Sequence, residues 1–567
     1  MIKVLGLVAV ASCFVSFSFG ALLGPVFAQE ITKQKIPNQL LPGTLDKRFA
    51  KTPEALSTEM VIVPKPGHQM APDLAKKTTF TLEAVDLTGN RVLSQADISI
   101  FYQDHIGKRV SLATMFAVAN AITKHYAEEG YALSMAYLPA QKIDHSGTIR
   151  LVVVEGHIDE IVYSGDIKYV SGRLKKQMQK IAAESPLTSA TLERYLLLAN
   201  DTPGLSVTTT LDRADQGVGG IKLLVDVQKT SFEVFAGLNN RGSKALGPLM
   251  VDVGVIYNSF GPFDGRILAT ANHTLTSNEM SYYALSGRVN LNSEGTVLEG
   301  SVARVNAAPG IETLRTLEFF TNSWSWSLGV RHGLLRSRSQ NLSLWSRIDF
   351  KDSMGELLSF SASDERIRSL RIGASYDWIS DKGTLTYFQA QVSKGLDILS
   401  ATKTGAETVN RSDADFTYTS FKLDIYQVRD LGAGLDLSMR VSAQISADPL
   451  VGSEQCGFGG GSYGRAFDSF EVSGDTCLLG AVELRKRLKD YSSQITSVQP
   501  YVFWDMGTVS LNKSDITSFA QSIGAGVRAR LFDRIDGYLE ITLPLDQDVA
   551  ISGNRNPRAF FGVRTDF

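Results

Sequence analysis

The residues best suited to chemistry lie in a glycine-rich stretch and in a strand that follows it. Residues 457–464 are rich in glycine and lead into Arg465, and a later strand carries Asp505 between Phe503 and Gly507. A guanidinium and a carboxylate can form a two-pronged, charge-assisted hydrogen-bonded pair. We therefore expect the chemistry of these residues to be an ion pair that fixes a loop, and not a reaction.

Signatures of catalysis are weak in the rest of the sequence. Gly459, Gly461 and Gly464 match the spelling of a dinucleotide-binding fingerprint, but that fingerprint needs a surrounding βαβ unit, and strand patterns flank it here. The seven histidines show no paired metal-binding spacing, and no Gly-x-Ser-x-Gly nucleophile elbow stands out. The sequence thus predicts a protein that is not an enzyme, with no cofactor and no metal site.

The segments that must position these residues alternate between apolar and polar side chains. The apolar face of residues 522–531 carries Ile523, Ala525, Val527, Ala529 and Leu531. The polar face carries Ser522, Gly524, Gly526, Arg528 and Arg530. A period of two is typical of strands. Because charges recur on the polar face in segments of about ten residues, we favour a membrane β-barrel with a watery lumen over a soluble β-sandwich.

The same alternation predicts the direction of Asp505. Its side chain lies on the face opposite Val502, Trp504 and Met506, so the carboxylate faces the lumen if the apolar face meets lipid. A carboxylate in a partly dehydrated lumen needs a partner, which Arg465 could supply from a loop folded inward. The alternative is that Arg465 is solvated on an external loop, and that Asp505 binds water or a neighbouring lumen arginine.

Charge is balanced over the whole chain, with 57 basic and 59 acidic residues. That balance argues against nucleic acid or a strongly acidic molecule as the partner. Within the strand segments, we interpret the carboxylates of Glu483 and Glu540 as counter-ions for Arg485 and Arg528 and not as catalysts.

The N-terminal 28 residues have the pattern of a secretory signal peptide. Lys3 precedes a long apolar run, and residues 26–28 form a small-residue cleavage site before Gln29. The alternative is an N-terminal membrane anchor. No later stretch approaches the ~18 apolar residues of a membrane-spanning helix, so a chain exported to the envelope is soluble, secreted or a closed barrel.

Two cysteines remain after the predicted cleavage, Cys456 and Cys477, and they bracket the glycine-rich stretch. Compartments outside the cytoplasm permit disulfides, and closing a loop of this length would stabilise the fold by about 3 kcal/mol in the chain-entropy model. We expect a disulfide between them; two free thiols are the alternative.

The remaining chain divides into four parts. Residues 29–77 have the composition of a periplasmic linker with a possible short plug helix near 44–50. Residues 78–158 and 159–230 repeat the order βααββ, which indicates two tandem α+β modules and not two unrelated domains. Residues 231–567 show strands and turns throughout, enough for a barrel of about 16 antiparallel strands.

Short motifs in these parts resemble those of one family, the transporter subunit of two-partner secretion within the Omp85 superfamily. The first module contains the motif residues Gly130-Tyr131, Leu138-Pro139-Ala140-Gln141 and Val154-Glu155-Gly156. The second module and the barrel entry contain Asn200-Asp201-Thr202-Pro203-Gly204, Asn239-Asn240-Arg241-Gly242-Ser243 and Leu246-Gly247-Pro248. The resemblance identifies the modules as polypeptide-transport-associated (POTRA) domains.

The site residues share this resemblance. Gly464-Arg465-Ala466-Phe467 resembles the Arg-Gly-aromatic tip of the family's sixth external loop, and residues 503–507 match its Phe-x-Asp-x-Gly strand motif. Ala466 departs from the family pattern, in which glycine is usual, so the backbone conformation of the tip is in question. The resemblance implies that Arg465 and Asp505 lock this loop inside the barrel.

The resemblance also implies a function. The modules would bind a large secreted exoprotein, an adhesin or cytolysin with an N-terminal secretion domain, and pass it unfolded through a barrel in the bacterial outer-membrane lipid. Terminal Phe567 would be a signal for the barrel-assembly machinery. Three alternatives are an assembly or insertion factor of the same superfamily, a passive porin and a periplasmic binding scaffold.

Overall fold

The fold is known from a computed structural model of the chain. It describes the following residues: 37–49, 72–143, 147–213, 220–260, 264–275, 279–489, 492 and 494–567. The predicted signal peptide and most of the predicted linker lie outside the described residues. No helix within these ranges has the length and apolar character needed to cross a membrane.

Two small α+β modules precede the barrel. Their helices, and one more in the barrel, are α1 (Pro72–Lys77), α2 (Gln95–Ser99), α3 (Leu112–Glu128), α4 (Gly172–Ala183), α5 (Ser189–Asn200) and α6 (Glu312–Thr316). Their strands are β1 (Thr79–Thr81), β2 (Ala84–Thr88), β3 (Arg109–Ser111), β4 (Met135–Tyr137), β5 (Thr148–Val154), β6 (His157–Gly165), β7 (Leu205–Arg213) and β8 (Gly220–Lys229).

The two modules share one topology. The sheet of the first has the order β2-β5-β4 and that of the second the order β6-β8-β7. In each, the first strand runs parallel to the central strand, which is the last in sequence, and the remaining strand pairs antiparallel with it. The predicted repeat of a βααββ unit is thereby confirmed.

Local capping explains the helix starts. The side chain of Ser111 accepts a hydrogen bond from the backbone amide of Thr114, and the Ser171 side chain does the same at the start of α4. From the sequence, residues 94–102 are expected to form one helix; this prediction is wrong in length, since α2 ends at Ser99 and a turn follows. The sequence also predicts one strand over residues 80–85, but the structure has two strands there, β1 and β2.

The barrel is closed, and all its neighbouring strands are antiparallel. Its first strands are β9 (Phe232–Asn239), β10 (Met250–Phe260), β11 (Gly265–Thr274), β12 (Met280–Asn290), β13 (Thr296–Ala307), β14 (Phe320–Arg336), β15 (Gln340–Leu357) and β16 (Phe360–Ile379). The others are β17 (Leu385–Gly395), β18 (Thr419–Asp430), β19 (Leu435–Ser446), β22 (Thr476–Lys486), β23 (Leu488–Lys489), β24 (Ile495–Ser510), β25 (Thr517–Leu531), β26 (Ile535–Pro544) and β27 (Arg558–Asp566).

Sixteen strands form this wall within the described residues, because β22 and β23 both pair with β24 and continue one another. The prediction of about 16 strands is confirmed. The seam between β27 and β9 closes the barrel, and Phe567 extends it through backbone hydrogen bonds in both directions with Val234. The side chain of Phe567 is exposed.

The two faces of the wall differ as the alternation predicts. Val502 and Trp504 are 53% and 43% exposed on the outer face of β24, whereas Asp505 is fully buried on the inner face. On β26, Leu539 and Ile541 are each 63% exposed while Glu540 is buried. The apolar outer face and polar inner face are those of a membrane barrel.

The second module is docked on one end of the barrel, which we call the module end. Arg173 of this module binds Asp264 in the turn between β10 and β11 at 3.0 Å, and both side chains are nearly buried. Asp201 binds the buried Arg336 at the end of β14 through two hydrogen bonds of 2.8 and 2.9 Å. These contacts hold the second module against the module end of the lumen.

Residues 37–49 lie inside the barrel near its far end. The ammonium of Lys351, on the inner face of β15, binds the Asp46 carboxylate at 2.7 Å, and Leu40 and Leu45 pack against Met280 and Val305 of the wall. A short 3-10 helix, Leu45–Phe49, occupies the place of the predicted plug helix. This part of the predicted linker is therefore in the lumen and not in the periplasm.

Candidate functional site

The connection between β19 and β22 folds back into the barrel. We call residues 447–475 loop 6, since they form the sixth connection at the far end. Loop 6 contains a short hairpin of β20 (Cys456–Phe458) and β21 (Val472–Gly474), and its tip consists of residues 464–467. Phe458, Ala466 and Phe467 in this loop are at most 2% exposed, so the lumen at this level is filled by protein.

Arg465 at the tip is bound to Asp505 of the wall. The Asp505 carboxylate accepts hydrogen bonds from Nε and Nη2 of Arg465 at 3.1 and 2.8 Å. It also accepts one from the backbone amide of Arg465 at 2.9 Å. Asp505 is fully buried and Arg465 is 6% exposed. The pair is therefore a dehydrated, bidentate salt bridge of the type that resists exchange with water.

A second carboxylate, Glu483 on β22, also binds this arginine. Its Oε2 lies 2.6 Å from Nη1 of Arg465, and its two oxygens accept hydrogen bonds from Arg528 on β25 at 2.6 and 3.0 Å. The Arg465 guanidinium also lies 3.4 Å from the centroid of the Phe503 ring. Glu483 therefore bridges the loop and the wall, a role that the sequence reasoning missed because nothing local links residues 465 and 483.

The predicted counter-ion pairs are only partly right. Glu483 does pair with Arg528. Glu540, however, forms a salt bridge with Arg241, which follows β9, and accepts a hydrogen bond from Tyr501 at 2.8 Å. The nearest carboxylate partner of Arg485 is Asp436 on β19, at 3.5 Å. The error arises because closure of the barrel brings together charges from strands that are not neighbours, such as Glu483 of β22 and Arg528 of β25.

The Phe-x-Asp-x-Gly motif on β24 gives each of its three residues a contact with loop 6. Phe503 lies under the guanidinium and Asp505 binds it. At Gly507, an added Cβ would lie 2.5 Å from the ring of Phe458, so only glycine leaves room for that ring. Because alternate residues of a strand share a face, the spacing of the motif places all three against the loop.

Ala466 fits the tip without strain. Gly464 has a positive φ of +73°, where glycine is favoured, but Ala466 is not among the residues with positive φ. Its carbonyl accepts a hydrogen bond of 2.8 Å from Arg558, and the carbonyl of Arg465 accepts one of 3.2 Å from Arg241. Alanine at position 466, where the family usually has glycine, therefore adopts an ordinary backbone conformation.

The root of loop 6 is attached to the wall and to its neighbouring loops. Cys456 of the hairpin and Cys477 of β22 form a disulfide. Asp475, fully buried, accepts two hydrogen bonds from Arg411 at 2.7 and 2.8 Å and one from the backbone amide of Asn512 at 2.7 Å. Arg411 lies in the connection between β17 and β18, and Asn512 in the connection between β24 and β25. The two loops on either side of loop 6 therefore fix its position.

Residues 37–49 also contact loop 6. The ammonium of Lys47 binds the carbonyl oxygens of Gly452 and Gln455 and lies 4.8 Å from the centroid of the Phe470 ring. The segment is therefore held from two sides, by Lys351 of the wall and by loop 6. Both elements that fill the lumen thus combine polar contacts with apolar packing against the wall.

The motif residues of the first module have structural roles. The Glu155 carboxylate accepts hydrogen bonds from the backbone amides of Arg91 and Val92 at 2.7 and 2.9 Å and from the Tyr126 hydroxyl at 3.2 Å. Burial, and then the charge of Glu155, raises the pKa of the Tyr126 phenol. A Cβ at Gly156 would lie 2.4 Å from a backbone oxygen, which explains the glycine.

Each module has an edge strand that pairs antiparallel with the central strand, β4 in the first module and β7 in the second, and a helix side chain partly covers it. In the first module, the backbone amide of Ala136 on β4 donates to Thr123 of α3 at 2.9 Å. In the second, the Asn200 side chain binds both the amide and the carbonyl of Val207 on β7, at 2.7 and 2.9 Å. Edge strands left open attract other chains, so only the remaining part of each edge is available for pairing.

No group of three or more metal-ligating side chains converges anywhere in the part of the chain that the structure describes. The site is an ion-paired loop in a charged lumen, and the second of two modules is docked at one mouth of the barrel. An apolar-faced closed barrel carrying such modules is an outer-membrane β-barrel of the transporter class, with its modules in the periplasm.

The chain belongs to the haemolysin secretion/activation protein family ShlB/FhaC/HecB, whose profile matches residues 219–530. A ShlB-type POTRA domain matches residues 80–156. These matches confirm the family resemblance and the identification of the first module. The modules are thus periplasmic, and the far end of the barrel is extracellular.

Individual relatives are distant but similar over most of their length. The heme/hemopexin transporter protein HuxB of Haemophilus influenzae (strain 86-028NP) is 21% identical over 492 residues, which cover 82% of this chain and 84% of that protein. The structure of CdiB from Escherichia coli has a TM-score of 0.70 at 16% identity, with 96% of both chains covered. BamA from Haemophilus ducreyi lacking POTRA domains 1–3 has a TM-score of 0.51 at 11% identity, covering 86% of this chain and all of that one.

Proposed function

We propose that this protein binds an unfolded exoprotein in the periplasm and secretes it through its barrel. The observation that carries the proposal is the filling of the lumen. Loop 6 and residues 37–49 occupy it and are held by ion pairs and hydrogen bonds, chiefly Arg465 with Asp505 and Lys351 with Asp46. Because neither element belongs to the strand pairing of the closed wall, both could leave the lumen without breaking the barrel.

The position of the second module supports a route for that chain. Salt bridges of Arg173 with Asp264 and of Asp201 with Arg336 hold the module against turns at the periplasmic mouth. An exoprotein bound to the modules would therefore begin its passage next to the lumen. Strand addition at the uncovered part of β7 is one physical means of such binding.

The energy for transport would come from the exoprotein. The sequence contains no nucleotide-binding motif in a suitable context, and folding of the passenger outside would make its passage irreversible. We infer accordingly that the protein is a translocator without enzymatic activity. HuxB is named a heme/hemopexin transporter protein and CdiB an outer membrane transporter; by similarity, we extend to this chain a large secreted exoprotein as its partner.

One observation favours a second candidate, an assembly or insertion factor for outer-membrane proteins. The seam between β27 and β9 has five residue pairs, whereas β9 and β10 have eight, and the fold is similar to that of BamA. A short seam could open sideways and admit a strand. In that case the substrate would meet the seam and not the lumen.

A secretion assay tests the first candidate. In a strain that lacks the native gene, wild-type protein and the Arg465→Ala variant would be produced at equal outer-membrane abundance. The exoprotein encoded by the gene next to that of the transporter would then be quantified in the medium and in the periplasm. We expect secretion with the wild type and with a control variant that leaves loop 6 intact, and little or none with Arg465→Ala. Arg530→Ala is the matched control, because Arg530 pairs with Asp536 at the periplasmic rim and does not contact loop 6. An exoprotein that reaches the medium equally without the transporter would contradict the proposal.

A further inference from the structure

The outer surface of the barrel carries a charged side chain with no role in the lumen, Arg304 of β13. The next residue, Val305, is 2% exposed and packs in the lumen with Leu40 and Leu45. Because neighbouring residues of a strand point to opposite faces, Arg304 points outward, and its side chain is exposed. A charge on the lipid face of a barrel is unfavourable in the middle of the bilayer and tolerated near its surface.

The surroundings of Arg304 place it at the extracellular edge of the apolar band. It is paired across the strands with Tyr283 on one side and Trp324 on the other, and its guanidinium lies 5.1 Å from the Trp324 ring centroid. The next outward pair towards the far end is Asn306 with Asn322. Aromatic residues flanked by polar ones mark the level of the lipid headgroups.

A depression of about 570 Å³ lies on the outer face beside this arginine, and Arg304, Tyr283 and Trp324 line part of it. Its floor is formed by the short side chains of Ala269 and Ala271 on β11. Taller side chains border it on the flanking strands: Val253, Val255, Tyr283 and Leu285. Its volume falls in the range of about 300–1,000 Å³ that is typical of small-ligand sites.

Arg304 has no carboxylate within salt-bridge distance among the described residues. The register places Arg304, Trp324, Asp352 and Arg366 in one row across four strands. In this row Arg366 is paired with Asp364 at 3.3 Å, and Asp352 is paired with Arg368 at 2.6 Å. The charge of Arg304 alone is left for a ligand outside the protein.

We propose that Arg304 and Trp324 bind the phosphate of an outer-leaflet lipid whose acyl chain lies in the depression beside them. A guanidinium matches a phosphate through two parallel hydrogen bonds, and the Trp324 ring holds it in place from one side. The apolar floor suits an acyl chain, and the level of Arg304 suits a headgroup. The phosphorylated lipid of the outer leaflet is lipid A, to which the site is assigned.

Lipid retention by the full-length protein tests this site. Wild type, Arg304→Gln and the control Arg366→Gln would be reconstituted in phosphatidylcholine nanodiscs containing either bis-phosphorylated lipid A or its dephosphorylated form, and retained lipid would be counted by native mass spectrometry. We expect the wild type and Arg366→Gln to retain at least threefold more phosphorylated lipid A than Arg304→Gln does. The dephosphorylated form should show no difference among the three.

Other results would overturn the proposal. Equal retention of phosphorylated lipid A by all three proteins would mean that Arg304 does not recognise it. Displacement of the lipid by millimolar inorganic phosphate would mean that a free anion occupies the site, and a dimer lost in Arg304→Gln would assign this face to a second copy of the chain. Heat-modifiable migration on gels, equal in all three proteins, verifies that each barrel is folded.

Discussion

Asp505 binds Arg465 through the backbone amide as well as the guanidinium, with all three hydrogen bonds between 2.8 and 3.1 Å. The wall thus recognises both the position of the loop's backbone and the identity of one side chain. A carboxylate so placed fixes the tip of loop 6 at one height in the lumen. We call this pair of Arg465 and Asp505 the lock.

Removing either member of the lock should impair secretion without preventing barrel assembly. Taking one partner from a buried ion pair typically costs about 3–5 kcal/mol, because the other charge is stranded. We expect Arg465→Ala and Asp505→Ala each to reduce exoprotein in the medium at least tenfold at equal barrel abundance. The double variant should be no worse than either single one, since both remove the same interaction. Wild-type secretion by both single variants would contradict the lock.

Gly507→Ala should disturb loop 6 through size alone. The added Cβ would approach the Phe458 ring to 2.5 Å, and overpacking of this kind costs about 1–3 kcal/mol. We expect partial loss of secretion and faster cleavage of loop 6 by external protease. Phe458→Leu in the same chain should restore part of the activity. A Gly507→Ala protein with normal secretion and normal protease resistance would show that this contact has no role.

Cys456 and Cys477 should be joined in the mature protein. Mass spectrometry of an alkylated, non-reduced digest should yield one linked peptide pair that separates on reduction. The bond ties the loop 6 hairpin to β22, so Cys456→Ser should leave secretion possible but increase the protease sensitivity of loop 6. Recovery of both cysteines as alkylated free thiols would rule the bond out.

The modules should bind the N-terminal region of the exoprotein when residues 78–230 are produced alone. Affinity should be modest, because ordering an extended segment costs free energy. Thr209→Pro on β7 should weaken binding at least threefold. The amide of Val207 points outward, to Asn200, so that of Thr209 does as well, and proline there removes an edge donor without breaking the ladder. Titration calorimetry measures this, with circular dichroism as the control for folding. A folded fragment without binding at high micromolar concentration would place recognition in the barrel.

Much of the fold follows from local patterns. The alternation around Asp505 predicts which face it occupies because a strand turns successive side chains to opposite sides, and Ser111 predicts the start of α3 because it caps free amides. These inferences need only a few neighbouring residues. The motif at 503–507 is of the same kind, since its period places Phe503, Asp505 and Gly507 together.

Long-range partners could not be read from the sequence. Glu540 binds Arg241 across the seam of the barrel, and Lys351 binds Asp46 from a segment far earlier in the chain. Nothing in the local pattern of either residue reports closure of the barrel or entry of the N-terminal segment into the lumen. The covering of Val207 by Asn200 is likewise visible only once the helix and strand are packed.

Position-specific crosslinking of a stalled exoprotein tests the central claim most directly. Gln499 lies on the inner face of β24 and borders the periplasmic lumen, whereas Val502 is 53% exposed on the outer face. With a photoreactive residue at either position and an exoprotein halted by a folded C-terminal fusion, we predict adducts from position 499 and none from position 502. Adducts from 502, or from neither position, would show that the chain does not pass through the lumen and would contradict the account.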